Sequence, residues 1–275
     1  MIAPHDDEEP KNINEALFGP KAKERIKAME EEIESMNTNQ VWDLVDLPLG
    51  QRSIGNKWIL KIKRKADGSI ERYKARLVAK SYTQKERIDY EDTFSPVVRI
   101  TSVRLILAIV AHMNLKLYQM DVKIAFLNGE LDEEIYMDQL LCFESKGQER
   151  KVCKLKRSIY CLKQASRQWN IKFHHAVLKD DFKMMEEDHC VYLKCSNSGF
   201  VIFSLYVDDI LLAGNSKEMI DTTKKWLSSN FEMKDMGEAS YVLGVKIVRD
   251  RIKRLFGFIS RDLQQKDVRA LSHAR

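Results

Sequence analysis

No apolar run in these 275 residues reaches the length of a bilayer span, which excludes a helical membrane segment. The first residues, with Asp6, Asp7, Glu8 and Glu9, are acidic and lack the basic and apolar regions of a signal peptide. Five cysteines (Cys142, Cys153, Cys161, Cys190, Cys195) form no CxxC pair and no zinc spacing. They are read as reduced thiols in an intracellular protein. Nor does either sign of charge dominate: the net is +5. What is present is a globular composition, 44% hydrophobic and 32% charged, on a chain long enough for one large domain or two subdomains.

The charge is unevenly placed. From Arg52 to Arg87 there are twelve Lys or Arg against three acids, a local balance of +9. A second basic stretch runs from Lys146 to Lys172. Such blocks suit a polyphosphate partner. The plainer alternative is a solvated strand face.

The stretch Ser204-Leu205-Tyr206-Val207-Asp208-Asp209-Ile210-Leu211-Leu212-Ala213 sets two adjacent carboxylates inside an apolar run. Its flanks are β-branched, aromatic or otherwise apolar and read as buried strands. An unpaired buried charge is costly, so something must hold the carboxylates ionised. Hard oxygen ligands suit magnesium. A polar hairpin turn is the competing reading. A lone carboxylate, Asp121, ends another strand, Leu117 to Val122. Three carboxylates at strand ends are what two-metal phosphoryl transfer needs, with ions about 3.5–4 Å apart. Asp121 and Asp208 are 87 residues apart, so spacing does not prove their pairing.

Along the chain, residues 1–12 are expected to be disordered. Ile26, Met29, Ile33 and Met36 predict an amphipathic helix over 20–36. A short strand follows at 41–45. Trp58, Leu60 and Ile62 alternate with Lys57, Lys61 and Lys63, and Asp67-Gly68 turns the chain into a return strand, giving a basic hairpin. Thr101 or Ser102 is expected to cap a helix to about Met113, burying Val103, Leu105, Ile106, Ile109 and Val110. Asn128-Gly129 is a turn signal. Further elements are expected at 134–137 (strand), 163–179 (helix), 191–195 (strand), 217–229 (helix), and a last hairpin over 241–248 and 255–259. The order predicts an α+β fold with an antiparallel sheet backed by helices.

Many ordered blocks carry a resemblance. They include Asn56-Lys57-Trp58, Arg72-Tyr73-Lys74-Ala75-Arg76-Leu77-Val78-Ala79-Lys80, and Asp92-Thr93-Phe94-Ser95-Pro96-Val97. Gln119-Met120-Asp121-Val122-Lys123, Ala125-Phe126-Leu127-Asn128-Gly129 and Leu162-Lys163-Gln164-Ala165 follow. Tyr206-Val207-Asp208-Asp209, Lys234-Asp235-Met236-Gly237 and Leu243-Gly244 close the set. From about Asn14 to about Leu255 the chain resembles the reverse transcriptase domain of copia-type LTR retrotransposons.

That resemblance implies a right-hand polymerase with fingers and palm. Residues 13–115 would be a fingers-like region and 116–256 the palm, with a return to fingers around 140–165. A diverged tail would occupy 257–275, the thumb being absent. It implies an RNA-directed DNA polymerase acting on dNTPs and a primed RNA or DNA template, with two Mg²⁺, or Mn²⁺ as an alternative. It carries no expectation about oligomeric state. Asp121, Asp208 and Asp209 become the metal-binding catalytic carboxylates, and the Val122 carbonyl a further ligand. Phe126 becomes the bulky gate beside the incoming sugar, a role compatible with core packing. Lys74 and Arg76 become triphosphate ligands, with Lys63 or Lys80 as alternatives. Cys161, Leu162, Lys163, Gln164 and Ser166 fall in the motif lining nucleotide and template. Lys234 becomes a candidate general acid, against the reading of a plain surface lysine, and Leu243-Gly244 the primer grip. A two-metal nuclease fits the carboxylates but not the surrounding blocks.

Departures from the family pattern matter. Tyr-Gly-Leu-Lys-Gln-Ala-Pro-Arg here reads Tyr160-Cys161-Leu162-Lys163-Gln164-Ala165-Ser166-Arg167. A glycine there permits close approach or positive φ, and a Cβ would cost on the order of 1 kcal/mol or more. Loss of the proline, which pre-sets a helix start, is milder. Family glycines are also replaced at Ser81, Arg87 and Cys142, and a proline at Leu140. The chain is therefore read as a decaying or fragmentary copy. The alternative function is a catalytically dead remnant that at most binds nucleic acid.

Overall fold

The computed structural model describes residues 9–10, 12–65, 67–243, 245–250, 252 and 255–259. In chain order the elements are α1 (Ile13–Phe18), α2 (Ala22–Thr38), β1 (Trp42–Val45), β2 (Ser53–Ile54), β3 (Asn56–Arg64) and β4 (Ile70–Ala79). Then come α3 (Ile100–His112), β5 (Lys116–Val122), β6 (Glu130–Met137), β7 (Val152–Arg157), α4 (Ala165–Lys179) and β8 (Lys183–Met184). The chain continues with β9 (Val191–Ser196), β10 (Gly199–Tyr206), β11 (Asp209–Gly214), α5 (Lys217–Asn230) and β12 (Met233–Glu238). It closes with β13 (Tyr241–Val242), β14 (Val245–Asp250) and β15 (Leu255–Ile259). The α+β plan is as expected. Among the described residues no helix is long and apolar enough to cross a membrane.

Two compact units divide the chain. One comprises 1–95 and 126–172, the other 96–125 and 173–275. These boundaries differ from the expected segments. Helix α3 falls in the second unit because its apolar face packs there, and the return to the first unit is longer than 140–165.

In the first unit, β3 and β4 form a two-stranded antiparallel hairpin. Alternation puts Trp58, Leu60, Tyr73 and Ala75 on one face, where Ala28 and Met29 of α2 cover them. The other face carries Lys61 opposite Lys74, Lys63 opposite Arg72, and Ile59 opposite Arg76. A second sheet runs β1-β7-β6-β2, with β2 parallel to β6. Of the tail expected to be disordered, 1–8 and 11 lie outside the described residues. Glu9, however, is buried, ion-paired with Lys61 at 2.6 Å and accepting from the Ile62 N–H at 3.0 Å.

In the second unit, the antiparallel sheet β12-β5-β11-β10-β9-β8 has apolar side chains on both faces. Leu117, Ala213, Ile202 and Leu211 meet Val103, Ile106, Leu107 and Val110 of α3. On the opposite face Phe203 packs against Tyr192, Phe173 and Phe182, and Phe173 stacks on Phe231. Two expectations for α3 fail. Leu105 is 62% exposed, because the buried stripe follows the spacing 103, 106, 107, 110. The helix begins at Ile100, before Thr101 and Ser102, and the Arg99 N–H at its start donates to the Asp188 carboxylate at 2.8 Å.

Candidate active site

The β10–β11 hairpin turns through Val207 and Asp208 alone, since Tyr206 pairs with Asp209. Val207 takes φ +57°. A β-branched residue in the left-handed region is strained, and such strain gathers at functional turns. The turn is tied to the neighbouring strand by the Val122 N–H, which donates to the Asp208 carbonyl at 2.8 Å.

Register then assembles the carboxylates. Asp209 pairs with Asp121, and Asp121 pairs on its other side with Lys234. Paired residues of a ladder share a face. One row at the sheet's end therefore reads Tyr206, Asp209, Asp121, Lys234, with Asp208 in the adjoining turn. Burial raises the Asp209 carboxyl above its ordinary range, and the charges of Asp208 and Asp121 raise it further. The Gln119 side chain opposes this by donating to Asp209 Oδ1 at 2.9 Å.

Three mutually repelling carboxylates are a hard-oxygen donor set that fits a divalent cation. Among the described residues no three His, Cys, Asp or Glu side chains already stand in a metal-holding group. A cation would draw these three together.

Beside the row lies a shallow recess lined by Val98, Val103, Gln119, Ser204, Asp209 and Leu211, among others. The Ser204 hydroxyl is buried and has no hydrogen-bond partner among the described residues. An unsatisfied buried hydroxyl costs about 1–3 kcal/mol. Ser204→Ala is thus expected to raise stability by about 1 kcal/mol, read from the midpoint of urea unfolding. A lower midpoint would show that the hydroxyl is satisfied in solution.

In the first unit the cationic hairpin face is self-repelling. Burial lowers the Lys74 pKa, and Arg76, Arg72 and Lys63 lower it further. The Arg76 guanidinium lies 4.9 Å from the Tyr160 ring centroid. Tyr160 in turn meets Phe126 edge-on at 5.7 Å. Phe126 is half-buried.

The stretch after Tyr160 alternates buried and exposed side chains. Leu162 is buried. Gln164 is fully buried, donating to the Asp89 carbonyl at 2.9 Å and accepting from Gln84 at 3.2 Å. The Lys163 side chain is exposed, and its backbone N–H is held by Gln84. Ser166 is exposed, its carbonyl accepting from the Ser95 hydroxyl at 3.1 Å.

Cys161 has φ +69°, so the Cβ does meet the strain expected of it. Arg87 (φ +63°) and Cys142 (φ +70°) share the conformation. Each is the third residue of a four-residue turn. The closing bonds are Ile88 N–H to the Lys85 carbonyl, Phe143 N–H to Leu140, and Leu162 N–H to Ile159. Turns with positive φ at that position call for glycine. Ser81, also in place of a family glycine, opens a 3₁₀ turn and does not take positive φ.

Lys234 is exposed on β12, directly across from Asp121. Leu243 takes φ +50° in the turn between β13 and β14 and lines the recess. Gly244 lies outside the described residues. Sequence reasoning missed Gln119, Tyr160 and Ser204 as side chains of interest. The signals were a lone polar residue inside each apolar strand and an aromatic residue beside the altered turn.

Residues 39–268 match the family model described as reverse transcriptase (RNA-dependent DNA polymerase). The match extends past residue 257, where the tail was expected to have diverged. Over 250 residues, 90% of the chain, it is 47% identical to the retrovirus-related Pol polyprotein from transposon TNT 1-94 of Nicotiana tabacum. Over 223 residues, 81% of the chain, it is 39% identical to the retrovirus-related Pol polyprotein from transposon RE1 of Arabidopsis thaliana. The chain spans only 19% and 15% of those two proteins. A telomerase structure from Candida albicans aligns with 82% of this chain and 50% of its own at 10% identity and a TM-score of 0.39.

Proposed function

The chain belongs to the reverse transcriptase family, as a copia-type retrotransposon reverse transcriptase region, and from that premise we propose that it is an RNA-directed DNA polymerase core. The observation that carries the proposal is the register that sets Asp121 and Asp209 side by side with Asp208 in the adjoining turn. The second unit is read as palm and the first as fingers. Asp121, Asp208 and Asp209, with the Val122 carbonyl, would hold two Mg²⁺ or Mn²⁺. Bound there, the ions would lower the pKa of the primer 3′-hydroxyl and stabilise the leaving pyrophosphate.

The protein's own groups do the rest. Lys74 and Arg76, with Lys63 beside them, bind the triphosphate of a dNTP. Phe126, steadied by Tyr160, stands beside the sugar and rejects a 2′-hydroxyl. Lys234 delivers a proton to pyrophosphate, and Leu243-Gly244 holds the primer end. Cys161, Leu162, Lys163, Gln164 and Ser166 shape the wall for nucleotide and template, anchored by the buried Leu162 and Gln164. A primed RNA or DNA template is the macromolecular partner.

Single-nucleotide extension of a DNA primer on an RNA template with Mg²⁺ tests the proposal. Extension lost on Asp121→Asn supports it, and extension that survives overturns it. Lys74→Gln with Arg76→Gln is expected to weaken dNTP binding about a hundredfold, from two charge-assisted contacts worth about 1.5 kcal/mol each. Titration of a fluorescent dNTP at two salt concentrations reads this. Unchanged affinity would remove both residues from the triphosphate site.

A second reading is favoured by the three strained turns at Arg87, Cys142 and Cys161. In it the chain is a catalytically silent remnant whose basic hairpin still holds nucleic acid. Its mark is salt-sensitive binding without extension.

A further inference from the structure

The carboxylate row is supported by a side chain that the proposed reaction does not use. Gln119 lies two residues before Asp121 on β5, so both side chains leave the same face of the sheet. In the ladder Gln119 pairs with Leu211 and Asp121 with Asp209. The Gln119 carboxamide thus sits diagonally behind Asp209 and donates to its Oδ1 at 2.9 Å. Only the amide nitrogen can donate to a carboxylate, so chemistry fixes the orientation of the amide. The recess behind it is mostly apolar, with Val98, Val103, Leu211 and Val242 in its wall. Few groups there compete for the amide.

The choice of a neutral donor has a consequence. A lysine or arginine at this point would neutralise Asp209 and compete with any cation. An amide engages one oxygen, leaves the carboxylate its charge, and leaves the second oxygen for a ligand. Outer partners of this kind orient metal ligands and tune affinity. One strand, β5, then supplies a ligand of its own and the support for a ligand on its neighbour.

We propose that Gln119 is a positioning residue for divalent-cation binding, acting through Asp209. The proposal rests on the reading of Asp121, Asp208 and Asp209 as metal ligands. Mn²⁺ binding to the 275-residue chain, followed by electron paramagnetic resonance without nucleic acid, tests it. Gln119→Met keeps the length and removes the donor. It is expected to weaken Mn²⁺ binding roughly tenfold, with the melting temperature little changed. In an Asp209→Ala background the same change should have no further effect, because the acceptor of the Gln119 bond is already gone. Equal Mn²⁺ affinity for Gln119→Met and the unchanged chain would overturn the proposal. So would an equal loss in both backgrounds, which marks a general structural effect. If the unchanged chain binds no Mn²⁺, the metal reading falls and this inference with it.

Discussion

Replacing Arg87, Cys142 and Cys161 together by glycine is expected to raise the melting temperature by about 5 °C. All three residues hold φ between +63° and +70° in closed four-residue turns. The left-handed region costs an L-residue about 1–2 kcal/mol. Glycine removes that cost but gives back part of it through a freer unfolded chain, about 0.4–1 kcal/mol each. The net gain is about 2 kcal/mol over three sites, and 1 kcal/mol moves a domain of this size by about 2–4 °C. Ser81→Gly is the control. Ser81 does not hold positive φ, so glycine there should destabilise by about 0.5–1 kcal/mol. Calorimetry reads both. A triple variant that melts no higher would show that the turns are relaxed in solution.

Asp208→Asn is expected to abolish nucleotide addition, because it removes a charge from the turn that adjoins the paired Asp121 and Asp209. The same change should raise the melting temperature in metal-free buffer. Burial first, then the charges of Asp208 and Asp121, push the Asp209 carboxyl upward, so the native state carries repulsion that the substitution relieves. Activity and stability thus move in opposite directions, as expected of a site built to receive a cation. A loss of both would point to a folding defect instead. Primer extension and thermal unfolding on the same preparation separate the two outcomes.

Local pattern made much of the fold legible. Trp58, Leu60 and Ile62 alternating with lysines, followed by Asp67-Gly68, marked the β3–β4 hairpin that the structure contains. Helix α2 follows from the spacing of Ile26, Met29, Ile33 and Met36. Helix α3 was less legible because apolar residues surround it. Leu105 therefore looked as buried as Ile106 until the packed face was known. Strand β12 was invisible, since Met233–Glu238 is mostly polar or exposed and owes its conformation to pairing with β5.

The site was legible as residue types and motifs but not as geometry. Asp121 and Asp208 were visible as strand-end carboxylates, yet only the ladder register joins their neighbourhoods. The Gln119 contact depends on a diagonal across that ladder, which sequence spacing does not encode. Cys161 was recognisable as a departure from glycine. That Arg87 and Cys142 share its turn geometry needed the backbone angles.

The most direct test of the central claim is single-nucleotide extension of a DNA primer on an RNA template with Mg²⁺, by the chain carrying glycine at 87, 142 and 161. The account predicts addition of the templated dNTP by this chain and none once Asp208→Asn is added. Extension that persists with Asp208→Asn would contradict it, because the chemistry would then lie outside the Asp121, Asp208 and Asp209 cluster.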